Sequence, residues 1–322
     1  MKNLSEVHTV KGKKFLLKVE TSHDHPDYQK YEDLRFEIWE EPNDEMPGTR
    51  NMVCENYFND GSALFIAAYA ADEDGTFIED DEHFVGFSYG FVGVEDKNVG
   101  FRDPDNLVYY SQYTGLKDAY LNCGLGILIK EFQKKLILDI FGVGTVSCTF
   151  DPLTGVNAYR NVHFFGMDVV DYKVAHYGSF GGRLNREDIP CDRFYVYWRL
   201  KKDIRRPEID IQKLLDNDHL VLSSEIREVE GKDGRVPIAV PKDLNCDLEN
   251  ELLFIEIPYD FYSMVRATDV HNETIRKIPL DWRLKTRKAF LTLLERGYKI
   301  VDFLPVQQEN RIRDFYVLKR IE

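Results

Sequence analysis

Two glycines, Gly124 and Gly126, lie between a predicted strand and a predicted helix. The strand is indicated by a β-branched and aromatic run at 107–116, and the helix by apolar residues at helical spacing from about 123 to 140. The first amides of a helix lack intrahelical partners, and the helix dipole adds positive potential there. Glycines let an anion approach such amides closely. The backbone of residues 122–126 is therefore a candidate phosphate site, although paired glycines also serve plain tight turns.

Three other groups of residues could do chemistry, and each has a structural alternative. The run His23-Asp24-His25, with Asp27, contains the residue types that bind metals, but it lies at a predicted helix start, where Asp serves as a cap. Cys123 at a helix N-terminus could be a nucleophile, but no histidine is close in sequence to act as its base. His163 falls in a short predicted helix, where we expect a packing or surface role. We therefore predict no metal site and no covalent intermediate.

Composition limits the class of protein and its partners. The chain has 322 residues, of which 43% are apolar and 30% charged, which is enough for a buried core. Its net charge of −14 repels phosphate backbones, so we expect no nucleic-acid partner. No apolar run approaches the roughly 20 residues that span a bilayer, and the first residues lack a signal-peptide pattern. We therefore expect a cytoplasmic protein that makes no membrane contact.

Cysteine usage favours neither a disulfide framework nor a structural zinc site. The five cysteines are an odd number, they are widely spaced, and no CxxC pair occurs.

The elements that must position these residues alternate between strand and helix, which predicts the α/β class. A strand at 14–19 precedes a helix that starts near His25, and strands are predicted at 62–71 and 83–94. The region around the glycines is then predicted as strand, helix, strand (142–150) and short helix (157–165, ended by Gly166). A last strand pair follows, of which 194–200 is the clearer member. A connector is predicted at 201–215. The C-terminal part is predicted to contain strands at 236–240, 252–257, 298–304 and 314–319 and a helix at 280–296.

Several separated motifs resemble those of the GNAT superfamily of acyltransferases. The stretch Tyr113 to Lys130 is similar to the family's acyl-CoA pyrophosphate motif, and Thr149 to Gly166 is similar to a segment of one bacterial subgroup. That subgroup's further motifs correspond to His176-Tyr177-Gly178, Asp192-Arg193, Glu256-Ile257-Pro258, Trp282-Arg283-Leu284, Thr286-Arg287 and Arg296-Gly297-Tyr298. The resemblance covers roughly residues 83 to 322.

The resemblance implies a GNAT-like mixed sheet flanked by helices in residues 1–200 and a smaller α/β region in residues 201–322. The stretches 288–304 and 314–320 echo 157–170 and 192–200, so the C-terminal region could be a degenerate repeat of half the domain. It could wall off the acceptor site or make a homodimer contact. The implied activity is acetyl-CoA-dependent N-acetylation of an unidentified amine, with direct transfer in a ternary complex.

The resemblance also implies which residues hold acetyl-CoA, the co-substrate. Its pantetheine would lie along a splayed strand, its pyrophosphate on the backbone amides of the glycine turn, and one asparagine would face it. The corresponding residues are Tyr113, Gly115 and Leu116; Asn122, Cys123, Gly124, Leu125 and Gly126; and Asn157.

The candidate catalytic residues are Asp151, Tyr177 and Gln112. Asp151 would be the base that takes the proton from the amine, although Asp151-Pro152 could equally be a turn that starts the short helix. Tyr177 would be the acid, and Gln112 stands where subgroup members often have histidine.

Three residues depart from the family pattern: Leu121 replaces Arg or Gln, Gln112 replaces His, and Val162 replaces a proton-donating Tyr. Two alternatives therefore remain open. The chain could be a catalytically silent acyl-CoA sensor, or it could use a different acyl donor.

Overall fold

The computed structural model describes residues 4–39, 61–178, 181–204, 206, 208–209, 219–308 and 311–321. The chain forms two compact units, one of residues 1–148 with 199–201 and one of residues 149–198 with 202–322. This division differs from the predicted domains 1–200 and 201–322, because it groups residues by packing and places 149–198 with the C-terminal region.

The first unit contains a mixed sheet whose strands are adjacent in chain order. The first five strands pair antiparallel with their neighbours, and the sixth runs parallel to the fifth. The strands are β1 (Ser5–Val10), β2 (Lys13–Val19), β3 (Ala63–Ala70), β4 (Phe84–Val94), β5 (Leu107–Leu116) and β6 (Thr145–Phe150), of which the last two residues belong to the second unit.

One helix covers each face of this sheet. Helix α1 (Gln29–Trp39), preceded by a 3₁₀ turn at His25–Tyr28, packs Tyr31 and Leu34 against Phe87 of β4. Helix α2 (Leu125–Leu136), extended by a π turn at Ile137–Phe141, contacts Ser88, whose side chain points to the opposite face because alternate strand residues do so. The α/β class and the mixed sheet flanked by helices are therefore confirmed.

The second unit begins with a short helical segment and a strand pair. Helix α3 (Gly155–Ala158) continues as a π turn at Tyr159–Phe164, and Gly166, with φ of 59°, ends it as predicted. Strands β7 (Asp168–Lys173) and β8 (Arg193–Arg199) then pair antiparallel.

The rest of the second unit contains a five-stranded sheet in the order β10, β9, β11, β13, β12. Strands β9 and β11 are parallel, and the other pairs are antiparallel. The elements are β9 (Leu220–Gly231), β10 (Gly234–Leu244), β11 (Leu252–Ile257), α4 (Phe261–Ala267), α5 (Glu273–Arg276), α6 (Ile278–Glu295), β12 (Tyr298–Gln308) and β13 (Arg311–Arg320).

The predicted strands and long helices are confirmed, while β1, β9, α4 and α5 escaped prediction because their apolar residues are few or irregularly spaced. Part of the predicted connector at 201–215 lies outside the described residues. That residues 201–322 contain a degenerate repeat of half the first domain remains a prediction. The two regions do share one feature of connectivity. After α3 and after α6 alike, a glycine with positive φ leads into an antiparallel strand pair.

No helix in the described parts of the chain is both long and apolar enough to cross a membrane.

Candidate functional site

The parallel strands β5 and β6 separate soon after they meet. Within the described residues they pair only at Tyr109 with Val146 and at Tyr110 with Ser147, although β5 continues to Leu116. On its other side β5 remains bonded to β4 as far as Leu116. The second half of β5 thus has one edge bonded to β4 and one edge that β6 leaves, which is the splayed arrangement that the family resemblance implied.

Gln112 lies at a bulge in the same strand. The register of β5 with β4 passes from Ser111 to Tyr113, so Gln112 has no opposing residue. Its side-chain Oε1 is buried without a hydrogen-bond partner. A buried unpaired acceptor is uncommon in native proteins and is often explained by a ligand or water that supplies the donor.

The glycine turn follows β5 and starts α2. Asn122 (φ 58°) and Gly124 (φ 97°) both have left-handed backbone conformations, and Gly124 is the residue that precedes the first helical turn. The amides of Ile127 and Leu128 both donate to the Gly124 carbonyl. The amides before them have no acceptor within the helix, as at any helix start, which is the geometry that the anion-cradle prediction requires.

Two side chains of this segment, Cys123 and Leu125, have contacts within the first unit. The Cys123 thiol donates to the Tyr120 carbonyl at 3.0 Å, which supports the interpretation of Cys123 as a loop cysteine. Leu125 is fully buried. A Cβ on Gly124 would lie 2.9 Å from Val10 Cγ2, and one on Gly115 would collide with Ile38 of α1. Both glycines are therefore closely packed by neighbouring side chains, whereas the Asn122 side chain remains exposed.

A buried polar network fixes α2 against the sheet, and sequence reasoning missed it. Lys130 Nζ donates to Ser111 Oγ at 2.6 Å, and Gln133 Nε2 donates to Ser88 Oγ at 2.8 Å. Lys130 is only 3% exposed. These bonds hold the helix that carries the cradle next to the bulged part of β5.

Asp151, in the second unit, forms a buried ion pair. Its two carboxylate oxygens accept from Nη1 and Nη2 of Arg283 at 2.8 and 2.5 Å, and Arg193 lies 3.7 Å away. Burial alone would raise the pKa of Asp151, but the two guanidinium groups hold it below its ordinary value. Arg283 is fully buried. These contacts favour the structural alternative for Asp151, because a carboxylate held in this way is a weak base.

Tyr177 and Asn157 also belong to the second unit. The half-exposed Tyr177 hydroxyl lies 3.0 Å from Thr149 Oγ1, and the Arg193 guanidinium lies over its ring at 5.3 Å. Asn157 Oδ1 accepts from Arg160 at 2.8 Å. Val162, which departs from the motif described above, is buried.

The structure explains several motif residues as ion-pair partners. Arg283 binds Asp151, Arg287 binds Asp192 through two bonds of 2.8 Å, and Glu256 binds Arg313. Sequence reasoning placed five of these six residues in separate motifs without connecting them, because partners up to 132 residues apart carry no local signal.

Asp314 is a further buried carboxyl that sequence reasoning missed. It lies on β13 against Gly155 and is 3% exposed, and the adjacent Arg313 pairs with Glu256 instead. Burial, reinforced by the charge of Glu256, raises the pKa of Asp314 to about 7.

The metal interpretation of His23-Asp24-His25 finds no geometric support. Asp24 is the N-cap residue of the 3₁₀ turn, but its side chain makes no capping bond, so the expected capping role is not seen; its amide donates to Ser22 Oγ at 3.0 Å. Within the described ranges, no group of three or more His, Cys, Asp or Glu side chains could hold a metal ion.

Comparison with known proteins gives structural likeness only. No family model matches the chain, and no curated protein matches it. Similar solved structures include Arabidopsis thaliana NAA60 in complex with acetyl-CoA (13% identity, TM-score 0.42, 57% of this chain and 97% of that chain). A ribosomal-protein-S5-alanine acetyltransferase from Vibrio fischeri has 10% identity and a TM-score of 0.41, over 62% of this chain and 98% of that chain. A GNAT family acetyltransferase from Elizabethkingia anophelis with acetyl-CoA bound has 10% identity and a TM-score of 0.37, over 57% and 97%. These values are low, and neither the fold class nor the function below rests on them.

Proposed function

We propose that the chain binds acetyl-CoA and transfers its acetyl group to an amine. The observation that carries this proposal is the separation of β5 from β6 directly before a glycine turn at the start of α2. An open strand edge can bond the amides of an extended pantetheine arm as another strand would. The cradle at 122–126 then lies at the end of that strand, where the arm's pyrophosphate would follow.

The chemistry is a direct acyl transfer. The amine nitrogen attacks the thioester carbonyl, the C–N bond forms, the C–S bond breaks, and CoA leaves as a thiolate. An alkylamine is protonated at neutral pH because its pKa is about 10.4, so a base or a water chain must first take a proton. Gln112 cannot accept that proton, but its unpaired Oε1 can accept an N–H and orient the amine. Tyr177 is our candidate to protonate the thiolate, with Asn157 as a donor-binding residue by resemblance.

A second candidate is a protein that binds acyl-CoA without turning it over. Two observations favour it: Asp151 is neutralised by Arg283, and Val162 cannot donate a proton. The residues proposed to bind the donor are the same in both cases, so donor binding and turnover must be measured separately.

Donor binding is tested by calorimetric titration of acetyl-CoA and CoA into wild type and Asn122→Asp. The added carboxylate would lie in the cradle and repel the pyrophosphate, so we expect an affinity loss of about tenfold or more. Asn98→Asp, an equally exposed change elsewhere in the first unit, is the matched control and should bind as wild type does. Absence of binding by wild type would rule out the proposal.

Turnover is tested by following free thiol while acetyl-CoA is mixed with panels of small amines and peptides. Thiol release that depends on the amine supports the transferase. If the protein binds acetyl-CoA but releases no thiol with any amine, and releases none from acyl donors of other chain lengths, the silent binding protein would be favoured.

A further inference from the structure

The turn between β1 and β2 carries a cluster of lysines on an otherwise acidic protein. Residues 7–19 contain four lysines and no Asp or Glu, although the chain as a whole has a net charge of −14. Lys11 and Gly12 form the two-residue turn, with φ of 48° and 79°, and Val10 pairs with Lys13 across it. Positive φ at both central residues is what a type I′ hairpin requires, so Lys11 is fixed at the tip.

The hairpin packs directly on the glycine turn that precedes α2. Val10 occupies the space beside Gly124. Lys13 Nζ lies over the Tyr120 ring at 5.1 Å, and the Phe15 ring meets the same tyrosine edge-on at 5.9 Å. These contacts involve both sides of the hairpin, so its tip has a defined position relative to the cradle.

Lys11 reaches the cradle itself. Its Nζ donates to the backbone carbonyl of Asn122 at 2.7 Å, and Asn122 directly follows Leu121, where the family motif has Arg or Gln. A carbonyl uses one of the three donors of an ammonium group, so the others remain available to an anion. The ammonium is exposed, and it lies at the edge of the amides proposed to bind pyrophosphate.

We infer that Lys11 contributes the cation that the pyrophosphate site lacks at Leu121, binding the pyrophosphate of acyl-CoA from the hairpin side. This inference rests on the proposed donor site and adds a residue to it. Part of the affinity for the donor would then come from the N-terminal hairpin, an element that lies more than 100 residues before the motif in the chain.

The test is calorimetric titration of CoA into wild type, Lys11→Gln, Lys11→Arg and Lys14→Gln. Lys14 lies in the same hairpin and is equally exposed, but its Nζ lies by Gly75 and not by the turn, so it controls for a general loss of positive charge. We expect Lys11→Gln to weaken CoA about tenfold, Lys11→Arg to retain most of the affinity, and Lys14→Gln to change it less than about twofold. Equal thermal midpoints would show that all variants fold.

Further results distinguish failure of the Lys11 inference from failure of the proposed function. Equal weakening by Lys11→Gln and Lys14→Gln, or no weakening by either, would overturn the inference while leaving the donor site in place. If wild type itself does not bind CoA, the proposed function fails. Titration with 3′-dephospho-CoA identifies the phosphate, because a Lys11→Gln effect that disappears with this ligand would assign Lys11 to the 3′-phosphate instead.

Discussion

Asp151 is bonded at both oxygens to a guanidinium that solvent does not reach. In such a pair each ion compensates much of the desolvation of the other, so removing Asp151 leaves the buried Arg283 without its bonded counter-ion. The same aspartate follows the end of β6, where the family resemblance suggested a base. Geometry and charge therefore favour a role in holding the second unit together.

The Asp151→Asn variant distinguishes these roles. We expect it to lose about 3–5 kcal/mol of unfolding free energy, because Arg283 keeps its charge without a counter-ion. Denaturant unfolding measures this, with Asp168→Asn as the control, since Asp168 pairs with Lys202 on the surface and should cost about 1 kcal/mol or less. A variant of wild-type stability that lost only turnover would return Asp151 to the role of base.

The pKa of Asp314 is shifted in the opposite direction from that of Asp151, so its contribution to stability depends on pH in the opposite sense. Its pKa is raised from an ordinary 3.8 to about 7 in the folded chain, so between these values the folded state binds more protons than the unfolded state. Stability contributed by this group is thus present at low pH and is lost as the pH rises through about 7.

Asp314→Asn should remove this dependence, since the amide is neutral at every pH. We expect the variant to gain stability relative to wild type as the pH rises from about 5 to about 8, by a few kcal/mol at most, because one pKa unit corresponds to about 1.4 kcal/mol. Thermal midpoints of both proteins across this range measure the difference. A constant difference between them would contradict the raised pKa.

At the scale of elements, the β1–β2 hairpin and the turn before α2 depend on each other. Gly124 needs a positive φ to start the helix, and Val10 fills the space where its side chain would be. The glycine that the sequence suggested for phosphate approach is therefore also a packing glycine, so a large side chain there would disturb the fold as well as the ligand.

Gly124→Ala should cost more than the backbone strain alone. Gly142 also has a positive φ, but nothing lies within 4 Å of its missing Cβ, so Gly142→Ala isolates the strain of about 1 kcal/mol. We expect Gly124→Ala to lose about 1–2 kcal/mol more in denaturant unfolding, and Val10→Ala in the same chain to restore part of it. Equal losses in the two alanine variants would mean that Val10 moves aside freely.

At the scale of the whole molecule, residues 149–198 pack with the C-terminal region through pairs of buried charges and rings. Asp192 accepts two bonds from Arg287, and Phe194 meets the rings of Phe290 and Tyr316. A division at residue 200 would separate every one of these partners.

A fragment of residues 201–322 should therefore fail to fold. It would retain Arg283 and Arg287 without Asp151 and Asp192, and the apolar face that meets Phe194 would be exposed. We expect no cooperative thermal transition by circular dichroism, whereas the full chain should show one. A fragment with native-like cooperativity would show that 201–322 is an independent domain.

The sequence by itself determined the α/β class, most of the strands, both long helices and the segment that forms the glycine turn. These features follow from local periodicity, glycine position and motif spacing, which short stretches of chain encode. The elements that escaped prediction, β1 above all, have weak periodicity and are stabilised by their neighbours.

Only the tertiary structure decided how the candidate site is built. It revealed the separation of β5 from β6, the unpaired Gln112 oxygen, the hairpin that brings Lys11 to Asn122, and the pairing of Asp151 with Arg283. Each of these joins residues that are distant in sequence or depends on what a neighbouring strand leaves unbonded. Burial and charge pairing are properties of the packed chain, so no local pattern could have shown that the predicted base is neutralised or that a lysine lies beside the predicted cradle.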